Sequence, residues 1–484
     1  MTEEDRSRQL VERYRAELAT QSLLALSPLD GRYRAAAEPV RGCFSEAALI
    51  RHRVIVEVEY FLALLAAVSE EPAMSDAAPL SRWARELPVE AMLPIKELEA
   101  KLKHDVKAVE YAVKDRVRGT LLARHTQLVH LGLTSEDVNN LAYALMHQRA
   151  LRGPLARLIR DLVEKLSELV WLHRATPMLG RTHGQPATPT TLGKELGVFL
   201  HRLVREAEDL PTLRLPGKLN GATGTYAAHL AAFPDADWPA FSREFVAGLG
   251  LEWSPVTTQI EPHDGLAALY DRLRRIGNIL LDLCQDVWRY VSDGYFRQKA
   301  VAGEIGSSAM PHKINPIDFE NAEGNAGLAN ALFAHLSDKL TRSRLQRDLS
   351  DSTVLRNAGV AFGHLAIALR SARAGLSRLE VDEAVLRRDL AEHPEVLAEA
   401  YQAALREAGH DAPYETLLEL TRGRTVTLAD LRDWLMPLAI SRETKERLLA
   451  LTPDTYIGLA PQVADTALAA ARALLERYQP EEGE

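Results

Sequence analysis

The sequence is poor in the features that mark several common classes of protein. Only two cysteines, Cys43 and Cys284, occur in 484 residues, which excludes a disulfide framework or a cysteine-rich zinc module and fits a reducing, cytosolic setting. Lysine and arginine number 58 against 67 acidic residues, so the chain is not a generically basic nucleic-acid binder, and nothing supports a polybasic membrane anchor. No run approaches the ~20 apolar residues of a membrane span, and residues 1–20 lack the apolar centre of a signal peptide. These absences leave a large soluble protein and favour an enzyme.

Motifs for metals and nucleotide cofactors are missing as well. HExxH does not occur, His125 and His130 lie five residues apart, and the two cysteines are distant in sequence, so we predict no catalytic metal. The glycine-rich segment 217–224 lacks the GK[ST] of a phosphate-binding loop and follows no predicted strand. We therefore predict that the protein uses no cofactor.

Helical periodicity dominates what the sequence does contain. Apolar residues recur every three or four positions, with polar residues on the other face, over segments 155–172, 191–210, 266–291, 325–340 and 354–379. Segment 54–60 alternates as a strand does, but it continues into an apolar helical pattern, so we predict helix there too. Long amphipathic helices must bury their apolar faces against each other. The sequence predicts an all-α fold around a bundle of long helices.

Proline-rich stretches on either side of the long helices divide the chain into three predicted domains. Residues 1–123 form an N-terminal helical domain that starts with an extension at 1–23. Residues 124–378 form the central long-helix domain, and residues 379–484 form a C-terminal helical domain.

Seven polar segments interrupt the helical pattern, and the longest of them is 303–325. It carries Ser307, Lys313 and Asn315 among glycines and prolines. A polar loop of this length is more typical of a functional site than of a connector. Its serines suit an anion or, with a nearby cation such as Lys313 to stabilise the alkoxide, the role of a nucleophile or base.

The remaining polar segments allow a structural and a functional interpretation. Thr134 or Ser135 is predicted to cap a helix, and a helix N-terminus is also an anion site. His183 is predicted at the entrance of the helix that follows it, either as a structural hydrogen-bonding group or as a general acid or base. Arg347 and Arg356 suit a phosphate or carboxylate, or form a surface network of ion pairs.

Taken together, these segments resemble a known family. The loop GSSAMPHKINP resembles the signature loop of the fumarase/aspartase superfamily. The segments SPLDGRY, HDVKAVEY, TSEDVNN, RTHGQPATPTTLGKE, TTQIEPHD and QRDLSDSTVLRN resemble the adenylosuccinate lyase family, in the form common in enteric bacteria. The resemblance runs from about Leu24 to the C-terminus.

The resemblance implies an anti β-elimination that releases fumarate at two steps of purine biosynthesis, on the routes to IMP and AMP. The implied substrates are adenylosuccinate and succinylaminoimidazole carboxamide ribotide, which bind without metal or cofactor. Ser307 is implied as the base and His183 as the acid on the leaving nitrogen, with His104 orienting the acid. Lys313 and Asn315 are implied to hold the succinyl carboxylate and the developing charge.

The same resemblance implies a set of substrate-binding residues. These are Arg32, Tyr33, Lys103, His104, Asp105, Thr134, Ser135, Gln259, Ser307, Lys313, Asn315, Asn321, Arg347, Ser352, Thr353 and Arg356. Lys103 stands where the family carries a small polar residue, and it either contacts the phosphate or points to solvent. A cytoplasmic homotetramer is implied, with active sites shared between subunits and no nucleic-acid or membrane partner.

Two alternatives remain at this point. Another fumarate-releasing lyase, such as argininosuccinate lyase or fumarase, shares the signature loop, although SPLDGRY and the segment 347–356 favour a phosphorylated substrate. A catalytically silent helical scaffold is the other alternative. The presence of Ser307, His183 and Lys313 argues against it.

Overall fold

The computed structural model describes residues 21, 23–69, 77–299, 310, 313–411, 413–421 and 426–478, and the described chain begins with a group of mostly short helices. Their bounds are α1 (Arg34–Phe44), α2 (Glu46–Val68), α3 (Ala77–Arg85), α4 (Leu93–Leu102) and α5 (Asp105–Arg118). Segment 54–60 lies inside α2, so the prediction of helix there is confirmed.

Helix α2 connects two apolar cores because it is apolar on nearly all sides. Ser45 caps its start by accepting a hydrogen bond from the Ala48 N–H at 3.2 Å, as expected for serine at this position. One face packs into a core with α3, α4 and α5. The opposite face, which includes Tyr60 and Leu64, packs into the large core of the central bundle.

The central bundle contains the long helices that the periodicity predicts. Its helices are α6 (Ser135–Ala150), α7 (Ala156–Leu172), α8 (Leu192–Ala207), α9 (Ala227–Ala232), α10 (Trp238–Gly248), α11 (Asp264–Ser292), α12 (Ile317–Leu340), α13 (Ser350–Leu355) and α14 (Ala358–Ser377). Helices α11, α12 and α14 pack along each other. Gly277 on α11 leaves room for the terminal amide of the Asn330 side chain on α12, which a Cβ at this position would meet. The all-α prediction is confirmed.

In the described part of the chain, six short strands form three two-stranded sheets within this helical fold. An antiparallel hairpin joins β1 (Pro177–Thr182) and β2 (Gln185–Thr191). The parallel pair is β3 (Pro216–Gly217) with β4 (Glu252–Trp253), and the second antiparallel pair is β5 (Phe296–Gln298) with β6 (Leu379–Val381). The prediction that His183 lies at a helix entrance is therefore wrong. His183 lies in the two-residue turn of the first hairpin, and α8 begins only at Leu192.

The C-terminal helices are short, except for the last helix of the chain, which is long. They are α15 (Glu383–Ala391), α16 (Ala398–Glu407), α17 (Pro413–Thr421), α18 (Leu428–Leu435), α19 (Arg442–Ala450) and α20 (Ala460–Arg477). A separate small core lies between α16, α18 and α19, whereas α20 packs against α7 and α8. None of the described helices combines the length and the apolar character needed to cross a membrane. The boundaries of the three predicted domains stay predictions.

Candidate active site

The N-terminal end of α6 is the point around which several predicted site residues collect. Thr134 has an extended backbone, and its N–H donates to Asp137 Oδ2 at 2.8 Å. Ser135 is the first helical residue, and Glu136 and Asp137 follow it with both side chains buried. Acidic residues here face the positive end of the helix dipole. The predicted N-cap is confirmed, and Thr134 and Ser135 at this helix end are half-buried.

A chain of ion pairs begins at Asp105, the residue after His104. The Asp105 carboxylate accepts hydrogen bonds from Arg53 Nη2 at 2.8 Å and from Arg356 Nη2 at 2.7 Å. Burial acts to raise the pKa of Asp105, but the charge of Arg53, the N–H of Val106 and the charge of Arg356 outweigh it and lower the pKa to about 2. Asp105 is therefore an anion at neutral pH, and it pairs with both arginines.

This pairing predicts how stability depends on pH. The pKa of Asp105 in the folded protein lies below its usual value of 3.8, so the charged carboxylate stabilises the fold at neutral pH, and this contribution is lost as the pH falls from about 4 towards 2. We expect Asp105→Asn to be less stable than the parent at pH 7, with a difference that shrinks below about pH 4. Urea unfolding midpoints of both proteins between pH 7 and pH 3 test this. A difference that stays constant across the range would contradict it.

The same chain of polar contacts continues from Arg53 to Arg347. Arg53 is 1% exposed and donates to Asn139 Oδ1 at 2.9 Å. Asn139 in turn donates to Glu136 Oε1 at 3.0 Å, which also lies 3.2 Å from Arg347 Nη2. Arg347 Nε lies 3.7 Å from Asp351 Oδ2. Contacts within one chain thus bring together the neighbourhoods of His104, Ser135 and Ser352.

A fully buried ion pair stabilises the N-terminal end of α6. Lys218 Nζ lies 2.9 Å from Asp137 Oδ1, and neither side chain is exposed. The oxygen also accepts hydrogen bonds from the N–H groups of Asn220 at 3.0 Å and Gly221 at 3.3 Å. Gln259 attaches to this glycine-rich segment by donating to the Ala222 carbonyl at 3.0 Å. The glycine-rich segment 217–224, which lacks a nucleotide-binding motif, therefore has a structural role: it holds Asp137 at the start of α6.

Tyr33 and Asn321 form a second group. Asn321 Nδ2 donates to the Tyr33 hydroxyl at 3.0 Å, and Asn321 Oδ1 accepts a hydrogen bond from Ser371 at 2.9 Å. These residues join the start of α1 to α12 and α14. Among the described residues, no hydrogen bond or ion pair connects this group to the chain of contacts around Asp105.

His183 is exposed at the tip of the hairpin, where its φ of 53° is followed by a φ of 73° at Gly184. Two left-handed residues in a two-residue turn are typical of a tight hairpin. Arg181 anchors β1 by pairing with Asp389 at 2.7 Å, and Thr188 on β2 donates a hydrogen bond to Glu399. The C-terminal helices therefore hold the hairpin that presents His183.

The other predicted residues lie at or near the surface. Asn315, Ser352 and Gln259 are half-buried, whereas Arg32, Lys103, His104, Lys313, Thr353 and Arg356 are exposed. His104 caps α5 by accepting the Lys107 N–H at 3.1 Å, and Lys103 before it has a left-handed backbone with a φ of 56°. Ser307 lies outside the described residues.

Several residues of the site escaped the sequence analysis. Arg53 and Asn139 link the predicted residues, and Lys218 supports the end of α6, yet none of them belongs to a predicted site. The available signal was the presence of Arg53 and Glu57 four residues apart within the apolar stretch of α2. Charges inside such a helix are rarely buried unless they are paired, so they point to a polar partner elsewhere in the chain.

Two family models match separate parts of the chain. A family model described as lyase matches residues 31–329, and one described as adenylosuccinate lyase C-terminal matches residues 343–457. Two solved structures have the same fold with a TM-score of 0.72, a fumarate lyase from Mesorhizobium sp. BNC1 and a 3-carboxy-cis,cis-muconate lactonizing enzyme from Pseudomonas putida. The first is 23% identical, and the match covers 89% of this chain and 97% of that structure's chain. The second is 24% identical, and the match covers 90% of this chain and 97% of that structure's chain.

Closer relatives specify the family within the lyases. The adenylosuccinate lyase of Legionella pneumophila (strain Corby) is 48% identical over 91% of this chain and 98% of its own length. The enzyme of Escherichia coli (strain K12) is 47% identical over 92% of this chain and 98% of its own length. The enzyme of Dictyostelium discoideum is 44% identical over 91% of this chain and 97% of its own length. The chain belongs to the adenylosuccinate lyase family, so the resemblance predicted from the sequence is confirmed.

Proposed function

We propose that this chain catalyses the anti β-elimination of fumarate from adenylosuccinate, which gives AMP, and from succinylaminoimidazole carboxamide ribotide, which gives the free carboxamide. The observation that carries the proposal is the identity of 44–48% to adenylosuccinate lyases over at least 91% of the chain. The match to a C-terminal model specific to this family supports the same substrate class.

The chemistry assigns distinct roles to five side chains. Ser307 takes the proton from the carbon next to a carboxylate, and the exposed Lys313 supplies the positive charge that a serine base needs. The carbanion delocalises into the carboxylate, where Lys313 and Asn315 stabilise the added negative charge. His183 protonates the leaving nitrogen, and His104 orients it. No step requires a metal or cofactor.

Substrate binding in this proposal depends on local positive charge, although the whole chain has a formal net charge of -9. A phosphate and two carboxylates approach Arg356, which keeps 37% of its side chain exposed while it pairs with Asp105. Arg32, Lys103 and Arg347 add to this positive surface. The remaining proposed contacts come from Tyr33, Asp105, Thr134, Ser135, Gln259, Asn321, Ser352 and Thr353.

We also propose a cytoplasmic homotetramer in which subunits share each site. Trp171, Leu172, Trp288 and Leu328 on the long helices are each 48–62% exposed, and such apolar residues suit a helix-to-helix interface. Neither His183 nor the Tyr33–Asn321 pair is joined to the Asp105 contacts by a hydrogen bond or ion pair in the described part of one chain. A neighbouring subunit that contributes the missing groups would complete the site.

The substrate assignment can be tested by assay of fumarate release. Purified full-length protein is given adenylosuccinate, succinylaminoimidazole carboxamide ribotide or argininosuccinate, and the reaction is followed by ultraviolet absorbance. We expect turnover of the two purine compounds and none of argininosuccinate. Release of fumarate from argininosuccinate alone would overturn the substrate class while retaining the reaction type.

Shared sites predict that two inactive variants restore each other. His183→Asn and Ser307→Ala proteins are mixed, dissociated mildly and reassembled. If the two residues reach one site from different subunits, mixed tetramers contain some sites with neither substitution, and part of the activity returns. Light scattering should report a tetramer before dissociation and again after reassembly. No recovery in verified mixed tetramers, or full activity in a monomer, would contradict shared sites.

A further inference from the structure

The hairpin of β1 and β2 ends at His183, and the way in which the hairpin is held decides where that side chain lies. Thr182 pairs with Gln185 across the turn, so only His183 and Gly184 project beyond the strands. Among the described residues, the His183 side chain makes no hydrogen bond or ion pair. Its position therefore follows the backbone that carries it, and the backbone follows the contacts of the two strands.

The first strand is attached to Asp389 of α15 just before the tip of the hairpin. Arg181 Nη2 lies 2.7 Å from Asp389 Oδ2, and the Tyr295 hydroxyl donates a hydrogen bond to the same oxygen. The other oxygen, Oδ1, lies 3.6 Å from His393 Nε2. Only 17% of the Asp389 side chain is exposed. A carboxylate with several partners and little exposure holds a more defined geometry than an ordinary surface ion pair.

An apolar contact holds the base of the same strand against the same helix. Leu179 packs with Leu390 and Val396 in a small cluster separate from the main core. Leu390 follows Asp389 directly, so the apolar contact and the ion pair bring β1 to one end of α15. Arg181 lies between the apolar contact and the turn. Loss of the ion pair therefore leaves the base of the hairpin packed on α15 and releases its tip.

The second strand has a weaker attachment, to Glu399 of α16. Thr188 donates a hydrogen bond to Glu399, and the Tyr456 hydroxyl donates to the same oxygen at 3.0 Å. Both Thr188 and Glu399 are exposed, where water competes for the hydrogen bond. Thr188 is also five residues from His183, whereas Arg181 is two residues from it. The pair of Arg181 with Asp389 is therefore the contact that restrains the tip most.

We propose that Asp389 is a positioning residue for the reaction, which acts through Arg181 on the place of the His183 imidazole. This inference rests on the proposed function, in which His183 protonates the leaving nitrogen. A general acid must lie within hydrogen-bonding reach of the atom that it protonates, and a misplacement of about 1 Å can cost about 100-fold in rate. The phosphate and carboxylates of the substrate bind to other residues, so a displaced acid lowers kcat and leaves KM nearly unchanged.

Kinetics of single and double variants of the full-length protein test this role with adenylosuccinate as the substrate. Asp389→Asn keeps the size of the side chain and removes its charge, and it should lower kcat by about 10-fold or more with KM nearly unchanged. The same substitution is then made in His183→Asn. If Asp389 acts through His183, no acid is left to position, so the double variant should have the kcat of His183→Asn.

A matched pair of arginines provides the control. Arg297 on β5 pairs with Asp382, the residue before α15, so Arg181→Gln and Arg297→Gln each remove an arginine from this helix, but only Arg181 belongs to the hairpin. We expect reduced kcat in Arg181→Gln and parental kcat in Arg297→Gln. Arg181→Gln also replaces Asp389→Asn in the double variant if circular dichroism shows that Asp389→Asn is unfolded.

Hydrogen exchange measures the hairpin independently of activity. Amide exchange followed by mass spectrometry reports how often a segment opens. Peptides from 177–191 should exchange faster in Asp389→Asn and Arg181→Gln than in the parent and Arg297→Gln. Peptides from the long helices should exchange at the parental rate in all four proteins.

Two results would overturn the proposal. One is an equal fold-loss of kcat when Asp389→Asn is added to the parent and to His183→Asn, which would mean that Asp389 acts on something other than the acid. The other is unchanged exchange of 177–191 in folded Asp389→Asn. Lack of turnover by the folded parent would instead contradict the proposed function, and the exchange measurement would still decide whether Asp389 restrains the hairpin.

Discussion

His183→Asn should lower kcat for adenylosuccinate by about 10²–10⁴-fold, the usual effect of removing a general acid. The leaving nitrogen cannot depart easily as an anion, so the rate depends on a proton delivered in the transition state. Asparagine tolerates the left-handed backbone that His183 adopts at a φ of 53°. The hairpin turn and the exposed position of the side chain are therefore retained, and the loss reports chemistry.

His410→Asn provides a matched control for this substitution. His410 lies beside another turn, where its Nε2 contacts the Ala439 carbonyl at 3.1 Å, and it has no proposed catalytic role. Steady-state kinetics should show normal kcat for His410→Asn and unchanged helicity in both variants. A near-normal kcat in His183→Asn would remove His183 from the role of acid.

The second large effect concerns stability. Lys218→Met should lower the free energy of unfolding by about 3–5 kcal/mol, because it leaves the buried Asp137 charge without its partner. Asp137 also accepts the Thr134 N–H and two N–H groups of the 217–224 segment. Loss of the lysine therefore disturbs the end of α6 as well as the glycine-rich segment. Urea unfolding followed by circular dichroism measures the change.

Two further variants separate charge from packing in this experiment. Adding Asp137→Asn to Lys218→Met removes the uncompensated charge and should recover part of the lost stability. Arg442→Met breaks the exposed pair with Glu446, whose side chains are 91% and 63% exposed, and should change stability by less than about 1 kcal/mol. Equal losses in Lys218→Met and Arg442→Met would contradict the importance assigned to the buried pair.

The long helices were predictable because their signal is local. The spacing of apolar residues at 266–291 and 354–379 predicts the buried faces of α11 and α14. The hairpin at 177–191 was missed because its prolines and threonines do not alternate as in an ordinary half-buried strand. The available clue was His183–Gly184, a pair suited to two left-handed residues.

The site residues also divide into those that the sequence could predict and those that it could not. Motifs containing His104, Ser135 and Arg347 were recognisable from residue types and from resemblance to a family. Their partners were not, because a pairing such as Arg53 with Asp105, 52 positions apart, depends on how α2 packs against α5. Sequence spacing carries no information about that contact.

Product analysis with adenylosuccinate tests the proposed elimination directly. The folded full-length protein is incubated with the compound, and AMP and fumarate are quantified by chromatography. We expect equal amounts of both products, formed at a rate that Ser307→Ala and His183→Asn each reduce by about two or more orders of magnitude. Intact adenylosuccinate after incubation with the folded parent protein would contradict it.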